Sequence, residues 1–266
     1  MKNQPVVIVT GASRGMGYWI AKWLSSRGAN VTITARSLND LQVLENQITG
    51  EGGSAIAISG DVSNPRTCLG IVEKTMKQFG RIDALVNNAG ILDPISKIAE
   101  CDPAQFQQNI LVNLAGPFHM IRESIPALRE SKGRIINISS GAAVKPIASW
   151  GAYCAAKAGL SHLTRVLAVE EPSITAVSVR PGVVDTGMQA LIREKGPTAM
   201  TPELSNYFIK LKKQGKLEPP WVPARSIAWL ALNAPSELSG ELIEYDDPRI
   251  LDPSIELFGT IQDVEQ

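Results

Sequence analysis

Short hydrophobic runs alternate with longer amphipathic stretches along most of this chain. Seven of the short runs have the length and the β-branched content of strands, and they cover residues 6–10, 31–35, 55–59, 84–87, 134–139, 175–180 and 241–244. Several are continuously apolar instead of alternating between apolar and polar positions. This pattern is typical of parallel strands that other elements cover on both faces.

The amphipathic stretches between these runs predict helices over residues 15–27, 39–49, 65–79, 103–130 and 150–170. In the first of them, Ile20, Trp23 and Leu24 recur at the spacing of one helix face. The alternation predicts an α/β fold, a Rossmann-type doubly wound parallel sheet of about seven strands with helices on both faces. Because 266 residues, 44% of them hydrophobic, suffice for one large core, we expect residues 1–266 to form a single domain.

Residues 185–222 break this alternation. They contain Pro197, Pro202, Pro219 and Pro220, and they carry a short basic run that ends at Lys213. Proline disrupts regular structure, and a long insertion between a strand and the next helix often serves a binding site. We therefore predict a substrate loop or lid at about residues 185–222.

Composition argues against several classes of function. The 26 basic and 26 acidic residues cancel, so no excess positive charge favours nucleic acid or an anionic membrane as a partner. Cys68, Cys101 and Cys154 lie far apart, which argues against a disulfide framework and a zinc site, and we expect no bound metal. The first residues form neither a targeting segment nor an apolar run of membrane length, so we expect a cytoplasmic location.

A glycine-rich turn follows the first strand and precedes the first helix. Its sequence from residue 10 to residue 17 is Thr-Gly-Ala-Ser-Arg-Gly-Met-Gly. Such glycines can form a tight turn without a ligand, but they also let the backbone approach a phosphate group, to which the helix N-terminus offers free N–H groups. In this context the turn predicts a dinucleotide site. The residues of that predicted site are Gly11, Ser13, Arg14, Gly15, Met16 and Gly17.

The end of the second strand indicates which nicotinamide cofactor is bound. NAD-selective sites place an acidic residue there to hold the ribose, whereas NADP-selective sites place an arginine near the 2′-phosphate. Here the strand ends in Ala35 and Arg36, and Arg14 adds a second cation from the glycine turn. Either arginine alone could be a solvated surface charge, but two near one predicted site favour NADPH/NADP+ as the cofactor.

A hydroxyl, a phenol and an amine occur in order after the fifth predicted strand. Ser139 and Ser140 lie at the end of that strand, and Tyr153 and Lys157 lie one turn apart on the predicted helix of residues 150–170. An i, i+4 pair shares one helix face, so the phenol and the ammonium can reach one cleft. A free tyrosine has a pKa of about 10, and we expect the neighbouring ammonium to lower it. Taken singly, the pair could lie on the surface, and the serines could cap a helix.

In order and spacing, these segments resemble the short-chain dehydrogenase/reductase family, in its subtype with Thr-Gly-x-x-x-Gly-x-Gly and Tyr-x-x-x-Lys motifs. The resemblance is close over residues 5–187 and includes the Asn-Asn-Ala-Gly sequence of residues 87–90. It loosens afterwards, since the Asp-Gly-Gly that commonly follows the last strand of the family is absent from residues 239–248. This later part and the basic run are similar to fungal carbonyl reductases of the sepiapterin- and benzil-reductase type.

The resemblance implies a catalytic set of Asn113, Ser140, Tyr153 and Lys157. In the family, the serine thirteen residues before the tyrosine, here Ser140, binds the substrate oxygen, and the lysine also binds the nicotinamide ribose. The asparagine holds a water that relays protons. The resemblance also implies that Asp61 contacts the adenine, although an aspartate there could equally begin a turn. The other implied cofactor contacts are Val62, Asn88, Ala89, Gly90, Pro181, Gly182, Val184 and Thr186.

These features together predict an enzyme that reduces a ketone or aldehyde with NADPH while Tyr153 protonates the carbonyl oxygen. We expect the substrate to be a small apolar or aromatic carbonyl compound or diketone. An alternative is a non-catalytic NADP(H)-binding sensor, although such proteins usually lose the tyrosine or the lysine. Because the family assembles through helices that correspond to residues 103–130 and 150–170, we also expect a homodimer or homotetramer.

Overall fold

A computed structural model describes residues 4–259 of the protein. Residues 1–3 and 260–266, the two ends of the predicted domain, lie outside the described residues. Adjacent strands of the sheet are parallel, in the order β3-β2-β1-β4-β5-β6-β7, which confirms the predicted fold class. The strands are β1 (Val6–Thr10), β2 (Asn30–Ala35), β3 (Ser54–Ser59), β4 (Ala84–Asn87), β5 (Arg134–Ile138), β6 (Thr175–Arg180) and β7 (Leu242–Glu244).

Ten α-helices of the described part of the chain connect and cover these strands. They are α1 (Gly15–Ser26), α2 (Leu38–Gly50), α3 (Pro65–Phe79), α4 (Pro103–Ile110), α5 (Gly116–Ser131), α6 (Gly151–Glu170), α7 (Gly187–Ala199), α8 (Pro202–Lys213), α9 (Trp221–Asn233) and α10 (Pro248–Phe258). Within residues 4–259, no helix combines the length and the apolar character that a membrane span needs.

Each face of the sheet packs against its own helices, because successive strand residues point to opposite sides. Val7 and Val9 of β1 belong to an apolar cluster with residues of α1, α2, α9 and α10. Ile8, between them, belongs to a second cluster with residues of α3, α5 and α6. The chain therefore leaves β1 and β4 toward opposite faces, and a crevice opens at the carboxyl ends of these two neighbouring strands.

The helix predicted over residues 103–130 is not continuous. A π-helical segment, Leu111–Ala115, separates α4 from α5, and the N–H of Gly116 donates to the carbonyl of Leu111, five residues earlier. Residue 117 is a proline, which has no N–H to donate to the carbonyl of Asn113 as a regular α-helix requires. This missing donor explains why the helical repeat widens around Asn113.

Residues 185–222, predicted as a loop, are mostly helical, and the loop prediction is wrong in this respect. They contain α7 and α8, and α9 begins at Trp221. Two of the prolines that suggested irregular structure mark helix starts instead: Pro202 occupies the first turn of α8, and Pro220 precedes α9. Proline is tolerated at these positions because the first N–H groups of a helix have no partner within the helix. Pro197 lies inside α7.

Candidate active site

One cleft of about 1300 Å³ runs along the carboxyl ends of the strands. Its wall contains every predicted site residue except Gly17 and Asn113, which are buried behind it. The glycine turn and Arg36 line one part of the cleft. Tyr153 and Lys157 line it too, beside residues of α7 and α8. The fold thus gathers segments that lie far apart in the sequence into one site.

The glycine turn is shaped by close contacts with the loop after β4. A Cβ atom on Gly17 would lie 2.3 Å from the carbonyl oxygen of Gly11, and one on Gly11 would lie 2.8 Å from the Cα of Ala89. Gly11 and Gly15 also have positive φ angles of 66° and 59°. No side chain caps the N-terminus of α1. The turn thus has the narrow backbone and the uncapped N–H groups that a pyrophosphate needs.

Thr10, which sequence reasoning missed, joins the glycine turn to the Asn-Asn-Ala-Gly loop. Its hydroxyl accepts hydrogen bonds from the backbone N–H groups of Asn88 and Ala89, both at 3.0 Å. In return, the side-chain amide of Asn88 donates to the carbonyl oxygen of Thr10 at 2.9 Å. A buried threonine at the last position of a strand, directly before the glycines, was the available signal for this role.

Arg14 and Arg36 are exposed on the cleft wall. Neither arginine forms an ion pair with any residue of the range 4–259. Asp40, close in sequence, lines the same cleft, where its backbone N–H donates to the hydroxyl of Ser37 at 3.4 Å. The two guanidinium groups are therefore available for an anionic ligand.

Asp61 begins a turn, as one of its two interpretations expected. Its Oδ1 accepts hydrogen bonds from the backbone N–H of Ser63 at 2.9 Å and from the Ser63 hydroxyl at 2.7 Å. The residue also lines the cleft next to Val62. The predicted contact with an adenine stays a prediction.

Lys157 is held inside the protein by a main-chain group. Its ammonium donates to the carbonyl oxygen of Ile138, at the end of β5, over 2.7 Å. Its Nζ would lie 3.7 Å from a Cβ on Gly90, so the ammonium faces the loop after β4. Burial lowers the pKa of Lys157 to about 8, because the charged form loses water.

Tyr153 lies one turn before Lys157 on α6, and the ammonium is 5.7 Å from the centre of its ring. The predicted lowering of the tyrosine pKa is wrong for this structure. Burial raises the pKa of Tyr153 to about 12, and a hydrogen bond with Ser140 offsets only part of this rise. The phenol consequently keeps its proton at neutral pH.

The two serines after β5 have different surroundings. The Ser139 hydroxyl lies 2.7 Å from that of Ser161 on α6. The Ser140 hydroxyl accepts from the backbone N–H of Ala142 at 3.1 Å and thereby caps a short 3₁₀ turn. Ser140 also interacts with the Tyr153 phenol and lines the cleft. Capping and contact with the tyrosine are therefore combined in one residue.

The side chain of Asn113 is committed to the loop after β4. Its amide donates to the carbonyl oxygen of Ile91 at 2.7 Å and to Oδ1 of Asn109 at 2.8 Å. Its own Oδ1 accepts from the backbone N–H of Ile91 at 3.1 Å. The main-chain carbonyl of Asn113 has no α-helical donor, because residue 117 is a proline without an N–H.

The segment after β6 lines the cleft from Pro181 to Thr186. Val184 forms an isolated parallel bridge with Glu218, in which the Val183 carbonyl and the Asp185 N–H make the hydrogen bonds. That bridge leaves the Val184 N–H itself unused. Thr186 occupies the position before α7, but its hydroxyl does not cap the helix and lies 3.5 Å from the Val184 carbonyl instead.

An aromatic wall lies next to Tyr153. The ring of Trp150 meets that of Tyr153 edge to face at 5.9 Å and stacks on Phe208 of α8 at 5.5 Å. These three rings belong to a third apolar cluster, which joins α6 to α7 and α8. The helices that replaced the predicted loop thus supply part of an apolar pocket beside the phenol.

Comparisons with known proteins agree with this geometry. The family model described as short chain dehydrogenase matches residues 5–197. A benzil reductase ((S)-benzoin forming) of Saccharomyces cerevisiae is 35% identical over 257 residues, 92% of this chain and 97% of the relative. A sepiapterin reductase of Meriones unguiculatus is 36% identical over 227 residues, 80% of this chain and 85% of the relative. The predicted likeness to both kinds of reductase is confirmed.

Solved structures extend the likeness to three dimensions. The KRED1-Pglu enzyme is 41% identical, covers 90% of this chain and 100% of its own, and superposes with a TM-score of 0.86. A metagenomic short-chain oxidoreductase solved in complex with NADP is 37% identical, over 69% of this chain and 85% of its own, with a TM-score of 0.65. Sequence, fold and cleft agree, and the chain belongs to the short-chain dehydrogenase/reductase family of oxidoreductases.

Proposed function

We propose that the protein is an NADPH-dependent reductase of ketones or aldehydes, with Tyr153 as the proton donor. One observation carries the proposal: the Tyr153 phenol, with a buried ammonium beside it, shares a cleft with two arginines that form no ion pair within residues 4–259. The phenol suits the donation of a proton, and the arginines suit the binding of a phosphate.

The cleft fits a nicotinamide dinucleotide. The glycine turn would hold the pyrophosphate, and Lys157 and the loop of Asn88, Ala89 and Gly90 would face the nicotinamide ribose. Arg14 and Arg36 support NADP over NAD, as does a structural neighbour solved with NADP. When bound, NADPH supplies the hydride that adds to the carbonyl carbon and is left as NADP+.

The protein's own residues would bind the carbonyl oxygen of the substrate and donate the proton that this oxygen receives. Ser140 and Tyr153 would both donate hydrogen bonds to the carbonyl oxygen, which stabilises the charge that develops there. Tyr153 then transfers its proton to this oxygen, and Lys157 stabilises the phenolate that remains. A water on the main-chain carbonyl of Asn113 would return a proton to the tyrosine.

The substrate that this pocket favours is a small apolar or aromatic carbonyl compound or diketone. The rings of Trp150 and Phe208 support this, since flat apolar surfaces bind aromatic groups well. The likeness to a benzil reductase supports the same class of substrate. We also propose a cytoplasmic location, which the free thiols of Cys68, Cys101 and Cys154 support.

Replacing Tyr153 by phenylalanine tests the proton donor. We expect Tyr153→Phe to lower kcat for benzil by about 100-fold or more, because general acid catalysis contributes at least that much. We expect the Kd for NADPH, measured by fluorescence titration, to stay within about twofold of the wild-type value. Tyr207→Phe is the matched control, because Tyr207 lines the same cleft but is half-exposed. We expect this variant to keep the wild-type kcat. Normal turnover by Tyr153→Phe would contradict the mechanism.

The pH dependence tests the buried ammonium. As pH rises through about 8, Lys157 loses its proton and the charge beside Tyr153 disappears. We expect kcat/KM for the free enzyme to fall above that pH, about tenfold per pH unit. The tyrosine, with its pKa near 12, adds no loss in this range. A flat profile between pH 7 and pH 10 would be inconsistent with this role of Lys157.

Replacing Arg36 tests the choice of cofactor. We expect Arg36→Ala to raise KM for NADPH about tenfold or more, since a charge-assisted bond to the 2′-phosphate is lost, and to leave KM for NADH unchanged. Steady-state kinetics with both cofactors measure the ratio of KM for NADPH to KM for NADH. Arg66→Ala, on an exposed position of α3 outside the cleft wall, serves as control. Equal effects on NADPH and NADH would refute the assignment.

We further propose that the chain forms a homodimer or homotetramer through α4, α5 and α6. An apolar groove of about 430 Å³ lies between these helices, lined by Leu114, Phe118, Leu163 and Val166 among others. Phe118 is 46% exposed there. A second copy of the chain would cover this surface, as the family likeness implies.

A charge in the groove should separate the copies. We expect the wild type to sediment as a dimer or tetramer and Val166→Glu to sediment as a smaller species, because the carboxylate would be buried at the interface. Val169→Glu is the control, since Val169 is 81% exposed on the same helix and does not line the groove. A monomeric wild type in sedimentation equilibrium would overturn the proposal.

A further inference from the structure

Gln189 is a buried polar residue in the wall of the cleft. It is 6% exposed and lies in the first turn of α7. Together with Ile192 and Gly196 it forms the buried face of this helix. Its Oε1 is buried without any hydrogen-bond partner among the described residues. Buried carboxamides normally have partners within the protein, whereas the described residues give the side chain of Gln189 none, so its amide group is left for a ligand in the cleft.

The surroundings of Gln189 are otherwise apolar. Met188, Leu191 and Ile192 of the same helix belong to the cluster that contains Tyr153 and the aromatic wall. Lys145 and Tyr207 also line the cleft, but unlike Gln189 these two polar side chains are exposed to solvent. The carboxamide is thus a buried polar group set in a wall of hydrocarbon and aromatic side chains.

The amide nitrogen of Gln189 differs from its oxygen. Nε2 is not among the buried atoms without a partner, and the described residues give it no hydrogen bond, so it retains accessible surface in the cleft. Trp150 also has a buried, unpartnered Nε1, but ring contacts with Tyr153 and Phe208 hold its indole in place. The carboxamide can turn about its last torsion and present either a donor or an acceptor.

We propose that Gln189 determines specificity by binding a second oxygen next to the reacting carbonyl, so that the favoured substrates are vicinal dicarbonyl compounds. This rests on the proposed reductase function. One oxygen of such a substrate would receive hydrogen bonds from Ser140 and Tyr153. The other would enter the apolar pocket and needs a donor, which Nε2 supplies. A simple ketone has no second oxygen and leaves the amide unused.

Two substrates with the same pair of rings test the proposal: benzil, a vicinal diketone, and deoxybenzoin, its single-ketone analogue. The variants are Gln189→Met and Gln189→Leu, which keep the bulk and lose the amide, with Gln214→Met as control at an exposed position on the end of α8. We expect the two Gln189 variants to lower kcat/KM for benzil about tenfold, mainly by raising KM. The value of kcat/KM for deoxybenzoin and the KM for NADPH should not change. The control should behave like the wild type.

Each other outcome rejects a distinct part of the account. An equal loss for both substrates, or a higher KM for NADPH, would show that Gln189 supports the fold or the cofactor and would overturn this inference. If the wild type reduces deoxybenzoin or simple aldehydes but not benzil, the inference fails and the reductase function stands. If no carbonyl compound of any kind supports the oxidation of NADPH by the wild type, the proposed function itself fails.

Discussion

The hydrogen bond from the buried ammonium of Lys157 to the carbonyl of Ile138 is the interaction on which this site depends. A charge inside a protein must be paired or hydrogen-bonded, so this bond ties α6 to the end of β5. Since Tyr153 lies one helical turn earlier, the same bond fixes where the phenol meets the cleft. Burial then acts on the two groups in opposite directions, lowering the pKa of the lysine and raising that of the tyrosine. The result is a protonated donor beside a cation that responds to pH.

The parallel sheet makes this arrangement possible. Because the chain leaves β1 and β4 toward opposite faces, their carboxyl ends border an open crevice, and the glycine turn lies directly against the loop after β4. Thr10 holds these two segments together, and Asn113 holds the following residues from the far side. Neither side chain has to contact a ligand in order to affect the shape of the cleft. They fix the backbone groups that border the cleft.

Periodicity and motif order predicted the sheet, the helical stretches that contain α1 to α6 and the segments that line the cleft, because these features are local in the sequence. Two local features, both due to prolines, were missed, and features that depend on contacts between distant segments were not predicted. The helix break at Asn113 follows from the missing N–H of Pro117, and α8 begins at Pro202, a proline that the sequence alone suggested would break regular structure. The sign of the Tyr153 pKa shift was wrong, since spacing reveals a neighbouring lysine but not the extent of burial. The unpartnered amide of Gln189 is visible only when its surroundings are known.

We propose that one cleft brings a nicotinamide cofactor and the Tyr153 phenol to the same carbonyl group. An isotope that is followed from the cofactor to the product tests this proposal. With NADPH deuterated at the transferred position of C4 and benzil as substrate, we expect one deuterium per turnover at the carbinol carbon of benzoin, measured by NMR and mass spectrometry. Benzoin formed without deuterium, or oxidation of NADPH without benzoin, would contradict it.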